Sequence, residues 1–206
     1  MGRNGAGKTT TIESIMGMVD RRAGSVRFRD REIVRLPPHE IARLGLGFVP
    51  EDRRIFTDLT VLENLEVGRK PPAPSNGSPA LEPWTPERLF RLFPNLQEAR
   101  DRSAGRMSGG EQQMLTIART LMGNPLAILL DEPSEGIAPI IVEQMIGMVR
   151  ELKRSGVAIL LSEQNLAFAA AIADRAYVIE HGQIKFAGDM KVLIQDTQVR
   201  RAYLEL

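Results

Sequence analysis

The sequence predicts an α/β fold built on a parallel sheet, and three observations predict it. A glycine-rich turn, Gly2-Arg3-Asn4-Gly5-Ala6-Gly7-Lys8-Thr9, leads directly into helical periodicity. Two continuous apolar runs, Leu126 to Leu130 and Val157 to Leu161, suit strands buried on both faces. Amphipathic helical segments alternate with these runs, and such alternation builds a parallel sheet covered by helices. The 206 residues suffice for a single domain with a sizeable core.

Each element follows from local chemistry. Ile12, Ile15 and Met16 recur at helical spacing, and Gly17 stops that helix. Val26, Phe28, Ile33 and Val34 flank Asp30-Arg31 and predict a short β-hairpin. Leu46 to Pro50 reads as a strand closed by proline. Thr60-Val61-Leu62-Glu63 has the capping-box pattern and starts a helix. Pro71 to Pro86 is rich in Pro, Ser, Gly and Asn, which predicts a flexible surface insertion; its Trp84 reads as a local packing anchor. Thr85-Pro86 puts cap and proline in the order that opens a helix, with Leu89, Phe90 and Phe93 as the apolar stripe.

Ser108 caps a helix running to about Met122, with Met114, Leu115, Ala118, Leu121 and Met122 on one face. Pro139 opens another, with Ile141, Met145, Met148 and Leu152 inward. A helix follows near Ala167 to Ala173, then a hairpin turning at His181-Gly182, then one amphipathic helix from about Lys191 to Leu204. The nine methionines read as core filler.

Composition excludes several classes. Net charge is +1, which gives no case for a nucleic-acid surface. There is no cysteine, hence no disulfide framework and no thiolate metal site. No apolar run approaches the ~20 residues that span a bilayer. His39 and His181 are the two histidines, and both read as surface positions in a loop or hairpin.

The opening turn fits G-x-x-x-x-G-K-[ST] without mismatch. Glycines let backbone N–H groups turn inward around a phosphate chain. Lys8 is placed to reach the β- and γ-phosphates, and the Thr9 hydroxyl to ligate Mg²⁺. A strand should precede such a loop, yet only Met1 does. The expectation is therefore a fragment or a mis-assigned start, with the N-terminal strands missing.

Ile128-Leu129-Leu130-Asp131-Glu132 ends a strand in two carboxylates. Ligands of open α/β sheets lie at the carboxyl ends of strands. Asp131 is suited to hold Mg²⁺, and Glu132 to orient or deprotonate an attacking water. Between the two motifs lies Met107-Ser108-Gly109-Gly110-Glu111-Gln112-Gln113. Ser108 and Glu111 fit a capping box, but a cap alone explains neither glycine.

In this order and spacing the three motifs resemble ATP-binding-cassette (ABC) proteins over nearly the whole chain. The resemblance implies a P-loop ATPase with a parallel sheet core, short antiparallel hairpins and a helical subdomain. It implies one domain, with residues 1–51 and 105–206 as nucleotide-binding core and about 52–104 as the helical subdomain that meets membrane subunits. Two cassettes would pack head to tail, each ATP lying between one P-loop and the partner's signature. Asn4, Gly5, Ala6, Gly7, Lys8, Thr9 and Thr10 would hold one ATP; Ser108, Gly109, Gly110 and Glu111 would face the ATP on the partner. Thr9, Asp131 and Glu51 would serve Mg²⁺, and Glu132, Gln164 and Glu51 the chemistry.

Three positions depart from the general ABC pattern. Glu51 stands where glutamine is usual, Gln164 where histidine is usual, and Ala138 where aspartate is usual. A glutamine cannot take up a proton at neutral pH as imidazole does. With Val49-Pro50-Glu51, Arg53-Arg54-Ile55-Phe56 and Ser162-Glu163-Gln164-Asn165, they resemble the second ATP-binding subunit of bacterial importers for branched-chain amino acids. Related importers carry urea, amides or other hydrophobic amino acids. That branch implies a second ATP-binding subunit as partner (heterodimer, or homodimer), two membrane permeases, a periplasmic solute-binding protein and a peripheral place at the cytoplasmic membrane face. The same departures open an alternative, an ATP-dependent clamp subunit whose own site turns over weakly.

Overall fold

The computed structural model describes residues 1–71 and 82–204. In chain order its elements are α1 (Lys8–Ile15), β1 (Arg27–Phe28), β2 (Arg31–Glu32), α2 (Pro38–Arg43) and β3 (Leu46–Val49). Then come α3 (Val61–Gly68), α4 (Pro86–Leu92), α5 (Pro94–Glu98), a single 3₁₀ turn (Ala104–Arg106), α6 (Gly109–Leu121) and β4 (Ala127–Asp131). The chain finishes with α7 (Pro139–Arg154), β5 (Ala158–Ser162), α8 (Leu166–Ile172), β6 (Arg175–Glu180), β7 (Gln183–Asp189), α9 (Met190–Gln195) and α10 (Thr197–Tyr203). The parallel sheet, hairpins and helices are the α/β architecture that the sequence predicts.

The chain divides into two compact units, Met1–Ile41 with Leu161–Leu206, and Ala42–Leu160. In the first, the β6–β7 hairpin turns on His181 and Gly182, both at positive φ, the geometry of a two-residue hairpin. Ala176, Val178, Ala169, Met190 and Leu193 form its core, with Phe186 and Tyr203 packed around them. The β1–β2 hairpin turns on Arg29 and Asp30, one residue earlier than expected.

The expected C-terminal helix is two. The Asp196 carboxylate accepts the Val199 N–H at 2.9 Å and caps α10, so the periodicity is cut by a cap inside it. Residues 38–43, where sequence reasoning saw no helix, form α2, with Pro38 at its start. His39 lies on that helix rather than in a loop, and is exposed.

In the second unit β3 pairs parallel with β4, and the sheet order is β3-β4-β5. The register runs from Leu46↔Ala127 to Val49↔Leu130. Helix α6 packs on β3, α3 and α5, burying Met114, Leu115, Ile117, Ala118 and Leu121. The Met, Leu and Ile side chains each contribute about 1.5–3 kcal/mol by leaving water. Both expected capping boxes form, at Thr60 on α3 and at Ser108 on α6.

Two expectations need amendment here. Strand β5 begins at Ala158 rather than Val157, and it is not buried on both faces: Leu160 is 41% exposed and the burial alternates along it. Among the described residues it has a neighbouring strand on one side alone, so an apolar run there is only half covered. The insertion reaches from Pro71 to Pro86, and its residues 72–81 lie outside the described ones. Its end is firmly packed. Trp84 is 4% exposed, the Arg88 guanidinium lies 3.7 Å over its ring, and the Trp84 backbone N–H donates to Asn124 Oδ1 at 2.7 Å. Seven of the nine methionines, Met16, Met107, Met114, Met122, Met145, Met148 and Met190, are buried as expected.

Candidate functional site

The glycine-rich loop of the first unit is a built turn. Ala6 N–H donates to Arg3 O at 3.2 Å, and the Gly182 N–H of the β6–β7 turn donates to Ala6 O at 2.9 Å. Gly7 sits at φ 102° as the N-cap of α1, a conformation a side chain resists. No side chain caps α1, and no acidic residue lies in its first turn. A helix start left in this way favours an anion.

Lys8 is 6% exposed, and its ammonium donates to the Gly2 and Arg3 carbonyls at 2.8 and 2.9 Å. The lysine therefore folds over its own loop. Asn4, Gly5 and Thr10 are exposed; Ala6 is buried; Thr9 is half-buried.

Gln164 belongs to the same unit, in the turn between β5 and α8. The buried Glu163 carboxylate accepts the Gln164 and Asn165 N–H groups at 3.0 and 2.9 Å, and Asn165 caps α8 through the Phe168 N–H. Sequence reasoning missed Glu163 and Gly182 as supports; neither carries a local pattern that announces the role.

The carboxylates belong to the second unit. Past the last paired residues, Val49↔Leu130, β3 runs into Pro50-Glu51 and β4 into Asp131-Glu132. The parallel register thus delivers Glu51 and the acidic pair to one carboxyl edge. Asp131 and Glu132 are 1% and 6% exposed, while Glu51 is exposed. Glu132 sits at φ 44°, a left-handed conformation that costs about 1–3 kcal/mol and concentrates at functional sites.

Among the described residues no group of three or more His, Cys, Asp or Glu side chains is arranged to hold a metal. Mg²⁺ is bound by one or two carboxylates together with substrate phosphates and water more often than by an all-protein cage.

The signature turn begins α6. Ser108 N–H donates to Glu111 Oε2 at 2.7 Å and Glu111 N–H to Ser108 Oγ at 3.3 Å, while Arg102 pairs with Glu111 at 2.8 Å. Burial raises the Glu111 pKa, but these bonds from Ser108 and Arg102 outweigh it and hold it below the usual carboxylate value. Glu111 is thus engaged with its own helix. Each glycine has a close neighbour that the sequence does not reveal. A Cβ on Gly109 would come within 2.7 Å of Arg53 Nη1, and one on Gly110 within 3.0 Å of Ile141 Cγ1. Arg53 is half-buried against α6.

Residues 1–135 match the ABC transporter family. The chain belongs to that family. The cassette is 43% identical to the high-affinity branched-chain amino acid transport ATP-binding protein BraG of Pseudomonas aeruginosa, over 99% of this chain and 85% of that one. It is 36% identical to the lipopolysaccharide export system ATP-binding protein LptB of Escherichia coli, over 99% and 83%. Among solved structures it resembles a nucleotide-free ABC transporter cassette (TM-score 0.77, 31% identity, 96% and 83% covered). It equally resembles the ADP conformation of the cassette MJ1267 (TM-score 0.77, 30% identity, 98% and 84% covered). The cassette is an ATP-binding ABC ATPase subunit of a transporter. None of its described helices is long and apolar enough to cross a membrane.

Proposed function

We propose that this cassette is the ATP-hydrolysing subunit of an importer for branched-chain or related hydrophobic amino acids. Its 43% identity to BraG across almost the whole chain carries the reading. On it, residues Asn4 to Thr10 bind the triphosphate, with Lys8 exchanging the Gly2 and Arg3 carbonyls for phosphate oxygens. Glu132 orients the attacking water and accepts its proton, and Gln164 donates its NH₂ to the γ-phosphate. Thr9, Asp131 and Glu51 would hold Mg²⁺, which when bound neutralises charge on the phosphates. Ser108, Gly109 and Gly110 present the start of α6 to the ATP of a second cassette, with Glu111 holding that start in shape. ATP then favours the closed pair, and hydrolysis removes the preference. The helical region at about 52–104 meets two membrane permeases, which place the subunit peripherally at the cytoplasmic face, and a periplasmic protein selects the solute.

A second reading, a clamp subunit with weak turnover, draws on Gln164 and Ala138, and phosphate release from each cassette of the pair separates the two. Uptake of labelled leucine in a strain lacking a BraG-like subunit tests the importer reading. Restored uptake supports it. Rescue instead of a strain depleted of LptB, with no leucine uptake, refutes it.

A further inference from the structure

Glu51 does not hang freely at the end of β3. The Arg53 N–H donates to Pro50 O at 3.3 Å and closes a turn with Glu51 and Asp52 at its centre. The turn continues through Arg53 and Arg54 at φ 62° and 45°, two successive left-handed residues without a glycine. Such backbone persists where surrounding groups hold it. Asp52 and Arg54 pair with one another at 2.8 Å, which ties the exit of the turn to its centre.

Helix α6 supplies the rest of the hold. Thr116 Oγ1 donates to Arg53 O at 2.7 Å, Arg119 Nη2 to Arg54 O at 2.6 Å and Thr120 Oγ1 to Phe48 O at 3.4 Å. These three side chains share one face of the helix at i, i+3 and i+4. The Arg119 guanidinium also lies 5.0 Å over the Phe56 ring. The same helix begins at Ser108, and its Gly109 leaves room for the Arg53 guanidinium.

We infer that Thr116 is a positioning residue for Glu51: its hydroxyl fixes the strained turn and so fixes where the Glu51 carboxylate stands. The inference rests on the proposed role of Glu51 toward Mg²⁺. The hydroxyl has one hydrogen and two carbonyls in reach, Arg53 O at 2.7 Å and Gln112 O at 2.9 Å. Gln112 O lies within the helix and already accepts the backbone N–H four residues on. Loss of the hydroxyl therefore falls on Arg53 O, which carries the turn. Arg119 holds the next carbonyl in the same way, but its long side chain also packs on Phe56, so Thr116 is the cleaner probe.

The test is Thr116→Val in the full chain, with Thr116→Ser and Glu51→Ala beside it. Calorimetry gives ATP affinity without metal and its enhancement by Mn²⁺ or Mg²⁺, and amide exchange reports on residues 51–56. Expected for Thr116→Val is unchanged metal-free ATP affinity, metal affinity about tenfold weaker, and faster exchange at 51–56. Thr116→Ser restores both, and adding Thr116→Val to Glu51→Ala costs nothing further. A metal shift under twofold in Thr116→Val, while Glu51→Ala does shift, overturns the inference alone. A Glu51→Ala protein with unchanged metal affinity removes the Glu51 assignment, and the inference falls with it.

Discussion

Lys8→Met separates what the lysine does for the empty fold from what it does for nucleotide. In the structure the ammonium makes two short bonds to carbonyls of its own loop, 2.8 and 2.9 Å long. Hydrogen bonds to charged groups contribute about 1.5–3 kcal/mol each, so losing both removes about 3–6 kcal/mol. The same ammonium is 6% exposed, and the effective cost of burying an ion is several kcal/mol. These terms oppose one another, and the net change in the empty protein stays within about 2 kcal/mol. Nucleotide has no such offset. At a hundredfold excess over Kd, ATP stabilises the folded protein by about 2.7 kcal/mol. At about 2–4 °C per kcal/mol for a chain of this size, the parent gains about 5–11 °C in Tm. Lys8→Met gains none. Differential scanning fluorimetry with and without ATP reads both numbers, and a variant whose ATP-induced gain stays within 2 °C of the parent's refutes the loop assignment.

Three further outcomes follow from particular contacts. Ala138 caps α7 at φ −62° and ψ 143° with no side-chain bond, so Ala138→Asp adds a cap and raises stability by about 1 kcal/mol in urea unfolding. Asn124 Nδ2 donates to Lys70 O and its Oδ1 accepts from Trp84 N, both at 2.7 Å, stapling the two ends of the insertion. Asn124→Gly keeps the positive φ but loses about 1–3 kcal/mol in the same assay, and Asn124→Ala loses more. The Ser25 hydroxyl, then the Val34 and Val26 N–H groups, lower the Glu32 pKa to about 2. Its depressed folded value means that the β1–β2 hairpin is held above the ordinary carboxylate range and loosens as pH falls through 2; carbon-13 carboxyl titration near 4 instead contradicts this.

The legible parts of the fold were those set by neighbours in sequence. The Thr60 and Ser108 boxes, the Thr85-Pro86 start and the His181-Gly182 turn each carry their cause within four residues, and all four form. Val157 to Leu161 and Leu126 to Leu130 look alike as strings. Only the second is buried residue after residue, from Ile128 to Leu130, because burial is decided by which strands lie alongside. The C-terminal periodicity hid Asp196, whose carboxylate acts as a cap and not as one more polar position.

The site divides in the same way. The glycine-rich loop, the acidic pair and the Ser108-Gly109-Gly110 turn are linear patterns and are legible in the sequence. Their supports are not linear. Gly182 holds Ala6 across the chain, Thr116 holds Arg53 from 63 positions away, and Glu163 gains meaning only through the two amides it accepts. The signature glycines show the converse. The sequence assigns them to phosphate, while the Arg53 guanidinium lies close over Gly109 and Ile141 packs close against Gly110.

That Lys8 and the Asp131-Glu132 pair serve one nucleotide is the central claim, and iron-directed cleavage tests it most directly. Fe²⁺ replaces Mg²⁺ with bound ATP, and peroxide and ascorbate generate radicals that cut the backbone beside the metal. The expected fragments end both near residues 8–10 and near residues 131–132, and both vanish in Lys8→Met. Cleavage confined to the glycine-rich loop, with the acidic pair untouched, would contradict the claim.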